Sequence, residues 1–155
     1  MKIVIKEITD KNEKETISRE VLYDLPEWFG LPESTKEYIK DSKDKAFLAG
    51  FVEGKVGGFI VLNPTSSDTA EIFVMGVKKE YHRLGLGTKL VKAYEQLAIE
   101  GGYSYSQVKT VKTGYYGEYD ITNDFYQAMG YVELECFPDM WDSWNPCQIF
   151  IKYLN

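Results

Sequence analysis

Two glycines, one residue apart, lie between a strand-like segment and a helix-like segment. Residues 70–77 read AEIFVMGV, and the segment from His82 to Leu90 reads HRLGLGTKL. Apolar residues then recur at helical spacing, at Leu86, Leu90, Ala93, Tyr94 and Leu97. In a strand, loop and helix of this kind, glycines let successive backbone amides face an oxyanion at the start of the helix. The sequence therefore predicts a site for a phosphate-like anion.

Two well-known phosphate-binding loops do not fit this segment. A nucleoside-triphosphate loop ends in Gly-Lys-Ser/Thr, so that its lysine reaches the outer phosphates, whereas the order here is Gly87-Thr88-Lys89. A dinucleotide loop needs a third glycine, where this chain has Leu90, and an acidic ribose ligand, which residues 107–111 lack. The predicted site therefore belongs to neither class.

The whole chain, residues 1–155, is predicted to form one domain that mixes helices with strands. A chain of 155 residues is long enough for one packed domain and too short for two ordinary ones. Strands are predicted at 1–8, 46–52, 56–62, 70–77, 107–111, 131–137 and 148–153. Helices are predicted at 17–25, from the capping-box pattern Ser34-x-x-Glu37, from 86 to the glycines at 101–102, and around Ile121, Phe125 and Ala128. This order indicates an α+β or mixed α/β fold with a largely antiparallel sheet.

Charge and composition exclude several classes of protein. The net charge of −6 argues against nucleic-acid binding, which needs a cationic surface, although residues 78–92 hold five basic residues and one acid. No segment resembles a membrane span or a secretory leader. Cys136 and Cys147 could face each other on neighbouring strands, but two cysteines are too few for a disulfide framework. We therefore expect a cytoplasmic protein with no membrane partner.

Three segments of the sequence resemble one known family. The run from His82 to Gly87 resembles the Gln/Arg-x-x-Gly-x-Gly/Ala signature of GNAT-superfamily N-acetyltransferases, with His82 in place of the usual Gln or Arg. Residues 70–77 are similar to the fourth strand of that family, and residues 124–131 resemble its FYxxxGF/Y segment. The resemblance implies a twisted, mostly antiparallel sheet of about seven strands with about four helices. It also implies that acetyl-CoA binds at Met75, Val77, His82, Arg83, Leu84, Gly85, Leu86, Gly87 and Thr88.

The resemblance also implies two catalytic residues. Tyr126, four residues before Gly130, takes the place of the tyrosine that protonates the coenzyme A sulfur, and Glu71 takes a place where some members keep a general base. Two other interpretations remain open: Tyr126 as a packed core aromatic and Glu71 as a paired or solvated strand residue. Gly76 is expected to permit a bulge that splays the sheet. The single histidine, His82, has no partner at ligand spacing, so we expect no metal.

The acceptor site is expected in loops that mix acidic and aromatic residues. Its predicted contacts are Trp28, Phe29, Tyr116 and Trp141. Carboxylates with aromatic faces suit a cationic amine, so the predicted acceptor is a small cationic molecule that takes the acetyl group directly in a ternary complex. Two alternatives stay open: acetylation of a protein or peptide amino group, and a non-catalytic coenzyme A-binding sensor. The same aromatics could instead cover a homodimer contact.

Overall fold

The computed structural model of the protein describes residues 1–142 and 144–155. It contains seven strands in one sheet, with four helices and a short 3-10 turn at Lys79–Tyr81. In chain order the elements are β1 (Ile3–Ile8), α1 (Lys11–Leu22), α2 (Pro32–Ser42), β2 (Ala46–Val52), β3 (Lys55–Pro64), β4 (Thr69–Val77), α3 (Leu86–Glu100), β5 (Tyr105–Val111), α4 (Gly117–Ala128), β6 (Val132–Asp142) and β7 (Asn145–Tyr153). The predicted α+β fold, with seven strands and four helices, is confirmed.

The sheet has the spatial order β1-β2-β3-β4-β5-β7-β6 and helices on both faces. Its neighbours pair antiparallel except β4 and β5, which are parallel, so the sheet is mixed. On one face, α3 packs its buried stripe, including Leu86, Leu90 and Tyr94, into the larger core. On the other face, α1 and α2 cover β2, β3 and β4 through residues such as Val21 and Ile39. Each helix therefore buries one apolar face, as its sequence spacing predicts.

The sheet opens between β4 and β5 after a short stretch of pairing. Only Thr69–Glu71 pair with 105–107, so the rest of β4 has no partner on that side among the described residues. A bulge lies at Phe73, because Leu62 is opposite Ile72 while Val61 is opposite Val74. An extra residue of this kind bends the strand and increases its twist. The bulge and the open edge together create a gap in the middle of the sheet.

The bulge predicted at Gly76 is wrong. Gly76 pairs regularly with Phe59, and a Cβ at this position would lie 3.0 Å from side-chain atoms of both Val21 and Leu25. Its lack of a side chain therefore allows α1 and the segment after it to pack closely on β4. The glycine serves helix packing, while the strand bends three residues earlier, at Phe73.

Two predicted helix features differ from the structure. α2 begins at Pro32, with Leu31 at the N-cap position and no side-chain cap, so the capping box at Ser34 is wrong. Proline at the first turn fits because its missing N–H has no helical partner there. In α4, Ile121 is 65% exposed, whereas Asn123 and Tyr126 are the buried residues. The inward face of α4 is therefore more polar than the apolar spacing predicts.

The predicted loop at 138–146 is mostly strand. β6 continues through Pro138 to Asp142, which pairs with Asn145 of β7, while Ser143 lies outside the described residues. Proline is tolerated because β6 is the edge strand of the sheet. This long β6–β7 hairpin carries exposed apolar side chains at Met140, Trp141 and Trp144.

The two cysteines are free and do not face each other. Cys147 is opposite Phe137, and Cys136 is opposite Gln148. Successive residues of a strand point to opposite faces, so the two thiols lie on different sides of the sheet. The described residues contain no helix that is both long and apolar enough to cross a bilayer.

Candidate active site

The open edge of β4 presents unpaired backbone groups. The amide of Lys78 donates to the carbonyl of Gly57 on β3. Because antiparallel pairing alternates along a strand, the backbone groups of Met75 and Val77 then point away from β3, into the gap. The carbonyl of Val77 accepts a hydrogen bond from Nε2 of His82 at 2.7 Å. The backbone groups of Met75 and the amide of Val77 remain available to an extended ligand along this edge.

Helix α3 starts beside this edge with free amides. Its N-cap residue, Gly85, has a φ of +83°, and the first helical hydrogen bond runs from the amide of Lys89 to the carbonyl of Gly85. No side chain caps the helix, and its first turn contains no acidic residue. The amides of residues 86–88 therefore point out of the helix at its positive end. This arrangement suits a bound anion.

The glycines around the helix start have different tasks. A Cβ at Gly85 would meet no atom within 4 Å among the described residues, so the space in front of it is open. A Cβ at Gly87 would lie 3.4 Å from the ring of Phe125, which places Gly87 at the contact between α3 and α4. Leu86 is buried, and its methyl groups fill the space that a Cβ would take at Gly50 and Gly57. The absence of side chains at Gly50 and Gly57 thus lets the start of α3 pack directly on β2 and β3.

Acidic residues of α1 and of the loop after it neutralise part of the positive charge of residues 78–92, which contain the start of α3. Lys78 pairs with Glu20, and Lys79 pairs with Glu27 at 2.6 Å. The amide of Lys79 also donates to Asp24 at 2.8 Å. Within the described residues, no ion pair engages the three remaining basic residues, Arg83, Lys89 and Lys92. The positive charge available to an anion is therefore smaller than the sequence count indicates.

Tyr126 is the buried aromatic of α4, only 5% exposed. Its ring packs 5.6 Å from Phe125, 6.0 Å from Tyr131 and 6.5 Å from Phe150, measured between ring centroids. Burial, with a smaller contribution from the neighbouring tyrosines 119 and 38, raises the pKa of Tyr126 well above its usual value. The hydroxyl therefore stays protonated in the neutral range and can act only as a proton donor there.

Asn123, which sequence reasoning missed, fixes α4 to the sheet. Its Nδ2 donates to the carbonyl of Val111 at 2.9 Å, and its Oδ1 accepts from the hydroxyl of Thr110 at 2.9 Å. The side chain is buried, so these two hydrogen bonds satisfy polar groups of Thr110 and Val111 in place of water. Asn123 is three residues from Tyr126 on the same helix face. It therefore helps to set the position of the tyrosine.

Glu71 is buried at the last paired position of β4 and takes part in an ion pair. Its Oε2 accepts from Nζ of Lys109 at 2.8 Å, and its Oε1 accepts from Nδ2 of Asn63 at 3.2 Å. Both oxygens are therefore engaged, which matches the paired state that the sequence left open. A base role would require one of these partners to move away.

The predicted acceptor residues fall into three groups. The Nε1 of Trp28 donates to the carbonyl of Glu118 at 3.2 Å and to the hydroxyl of Thr122 at 3.1 Å, so Trp28 joins the loop after α1 to α4. Its ring meets His82 edge-on, with the ring centroids 5.9 Å apart. Tyr116 is exposed and packs 6.3 Å from Tyr119. Trp28 and Tyr116 are thus linked to one another through the start of α4.

Phe29 belongs to a second group, on the α2 side. Its ring lies 5.9 Å from Tyr38, which in turn lies 5.5 Å from Phe73. Trp141 is exposed on β6, and no ring contact among the described residues joins it to the other three. The structure therefore does not bring the four predicted residues into a single contact cluster.

Tyr38 and Lys109 are site residues that the sequence did not indicate. Burial, and then the negative charge of Glu71, raise the pKa of Tyr38. Lys109 lies on β5, two residues after Gln107, the last residue of β5 that pairs with β4. Their sequence signal is weak, because the register of a parallel strand pair is not readable from one chain. Among the described residues, no group of three or more acidic, His or Cys side chains is arranged to hold a metal.

The fold and this gap define an acyltransferase-like architecture, and the comparisons with known proteins identify the family. The model of the acetyltransferase (GNAT) family matches residues 11–131. The chain belongs to the GNAT acetyltransferase family. No curated protein matches the chain in sequence.

Solved structures show the same fold over nearly the whole chain. A GNAT-family protein from Desulfovibrio desulfuricans has a TM-score of 0.84 and 13% identity, covering 99% of this chain and 100% of that one. An Elizabethkingia anophelis GNAT-family acetyltransferase with acetyl-CoA bound has a TM-score of 0.76 and 16% identity, covering 98% of each chain. The aminoglycoside 6'-N-acetyltransferase from Enterococcus faecium has a TM-score of 0.75 and 18% identity, covering 98% of this chain and 97% of that one. At these identities the likeness concerns the fold.

Proposed function

We propose that the protein transfers the acetyl group of acetyl-CoA to an amino group of a small, cationic molecule, by direct transfer in a ternary complex. The observation that carries this proposal is the unpaired edge of β4, which leads to the uncapped start of α3. An extended amide-bearing chain with a phosphate end fits such an edge and helix start together. Family membership gives the reaction class.

The residues of the gap fit acetyl-CoA. The amides of residues 86–88 and the open space at Gly85 suit its pyrophosphate, and the backbone of Met75 and Val77 suits its pantetheine arm. Arg83 and Thr88 would add side-chain contacts, whereas Leu86 acts through its amide alone because its side chain is buried. His82 would contribute by holding the carbonyl of Val77. When bound, acetyl-CoA supplies a thioester whose carbonyl carbon an amine can attack.

Tyr126 and Glu71 take the proton-transfer roles in this proposal. The Tyr126 hydroxyl is protonated in the neutral range, so it can donate a proton to the sulfur that leaves. The amine must be neutral to attack, because an ammonium ion has no free electron pair. Glu71 accepts the proton of the bound ammonium once an oxygen is released from Lys109. The nitrogen gives up its second proton as the amide forms, and a proton taken up from solvent restores the Tyr126 hydroxyl. The products are the N-acetylated amine and coenzyme A with a free thiol.

Several observations support a small cationic acceptor. The Nε1 of Trp28 donates to the backbone carbonyl of Glu118, and the hydroxyl of Tyr119 donates to the carbonyl of Trp28, so both aromatic residues lie beside the acidic first turn of α4. Cations are attracted by carboxylates and by aromatic faces. Among proteins of the same fold are aminoglycoside N-acetyltransferases, which act on small molecules.

A thiol-release assay tests this proposal. Purified protein is given acetyl-CoA and a panel of polyamines, aminoglycosides, amino acids and a lysine peptide. Turnover that depends on a small cationic amine supports the proposal, and a preference for the peptide supports protein acetylation instead. Tight binding of coenzyme A without turnover on any amine would replace the proposal by the sensor alternative.

A further inference from the structure

The ion pair between Lys109 and Glu71 joins β5 to β4 at the point where the pairing of the two strands ends. Ala70 and Ile72 belong to the core under α3, so Glu71 lies on the other face of β4, toward α2. The Glu71 side chain is 8% exposed and that of Lys109 is 34% exposed. The lysine is therefore the solvent-facing member of the pair, and its removal would open a route to the carboxylate.

The buried carboxylate lies where several elements meet. Burial, and then the negative charge of Glu71, raise the pKa of Tyr38 on α2. Burial raises the pKa of Cys147 on β7 to about 11, while the nearby charge of Lys109 lowers it. Asn63 of β3 supplies a neutral donor to one oxygen. Among the described residues, Lys109 is the cation bound to this carboxylate. An ionised buried carboxylate without a cation is strongly unfavourable, so Glu71 in its charged form needs a positive charge beside it.

We propose, on the basis of the proposed function, that Lys109 occupies the position that the ammonium group of the acceptor takes. An incoming ammonium ion replaces the Nζ of Lys109 at Oε2 of Glu71, and the lysine side chain turns into solvent. The exchange conserves the charge of the site, so Glu71 is paired before and after it. A neutral amine cannot make this exchange without leaving Glu71 uncompensated. Glu71 thus selects cationic acceptors, and Lys109 sets how tightly they bind.

A second ion pair offers a matched control. Lys152 donates to both oxygens of Glu95 at 3.0 Å. The Lys152 side chain is 26% exposed and that of Glu95 is 11% exposed, which resembles the first pair. Lys152 also donates to the carbonyl of Met129, and Glu95 accepts from Tyr131. This pair ties β7 to α3 on the opposite face of the sheet. Its loss should affect stability without affecting acceptor binding.

The test measures binding of an amine directly, by calorimetric titration of protein saturated with coenzyme A. The probes are spermidine and kanamycin as cationic amines and p-anisidine as an amine that is neutral at pH 7.5. Lys109→Met removes the competing cation, so we expect the Kd of a cationic probe to fall by about tenfold. Lys109→Arg keeps the pair with a stronger, bidentate partner, so the same Kd should rise. The Kd of p-anisidine should be the same in the Lys109 variants as in the parent, and Lys152→Met should bind the cationic probes with the parent's Kd.

The two Lys109 variants make opposite predictions, so the test does not depend on one of them folding. Lys109→Arg retains a cation and should fold like the parent, as checked by thermal unfolding. If the parent and Lys109→Arg bind a cationic probe with the same Kd, the proposal is wrong. It is also wrong if Lys152→Met changes that Kd as much as a Lys109 variant does. Failure of every cationic probe to bind any variant also overturns it. Absence of thiol release from the amine panel would instead refute the proposed function, while the titration would still decide the role of Lys109.

Discussion

Replacing Gly85 by valine is predicted to abolish tight binding of coenzyme A at a small cost in stability. Gly85 has a φ of +83°, a conformation that costs an ordinary L-residue about 1–2 kcal/mol. The space around it is open, so steric clash within the protein adds nothing further. For a chain of this size, such a loss corresponds to a decrease in Tm of about 2–8 °C. The valine side chain would project into the space in front of the free amides and exclude an anion.

Gly102 provides the matched control for this prediction. It has a φ of +89°, it likewise has no atom within 4 Å of a Cβ among the described residues, and it lies beyond the far end of α3. Gly102→Val should therefore show a similar decrease in Tm and bind coenzyme A like the parent. Calorimetric titration should give at least about a tenfold higher Kd for Gly85→Val, equivalent to about 1.4 kcal/mol. If the two variants bind coenzyme A equally, the assignment of the anion site to the start of α3 is wrong.

Four further predictions follow from the same geometry. Tyr126→Phe should lower kcat by about two to four powers of ten while the Kd of coenzyme A stays unchanged, and an unchanged kcat under conditions where chemistry limits the rate would make Tyr126 a core residue only. Asn123→Ala leaves groups of Thr110 and Val111 without partners, so urea unfolding should show a loss of about 2–3 kcal/mol; a loss below about 0.5 kcal/mol would contradict this. Lys89→Ala should change the affinity for coenzyme A much less than Gly85→Val, because an exposed charge acts only through screened attraction. Burial is the main cause that raises the pKa of Tyr119 to about 12, and it also raises the pKa of Tyr126. The stability that these shifts contribute is therefore present below the unfolded pKa of about 10 and is lost as pH rises through the folded values. Denaturant unfolding should accordingly give a lower free energy of unfolding at pH 11 than at pH 8.

Much of the fold was predictable because its signals are local. Period-2 and period-3.6 patterns come from side chains that share one face, and together with β-rich runs they located all seven strands and three of the four helices. α2 was expected from a capping box at Ser34 that the structure does not form. The features that failed depend on distant contacts. Gly76 reads as a bulge residue in isolation, but its role is set by Val21 and Leu25, some fifty residues earlier in the chain. Ile121 fits an apolar stripe, yet α4 turns a polar residue, Asn123, toward β5.

The site shows the same division between local and distant causes. The start of α3 was predicted because two glycines between a strand-like run and an apolar helical stripe are a property of a few adjacent residues. The pairing of Glu71 with Lys109 depends on the register of β4 and β5, which the three residue pairs from Thr69 to Glu71 define. That register places a cation on the predicted base. The sequence left open whether Glu71 is a base or a paired strand residue, and in the folded chain it is a buried carboxylate paired with Lys109. Under our proposal it exchanges that ammonium partner for the one of the acceptor before it accepts a proton.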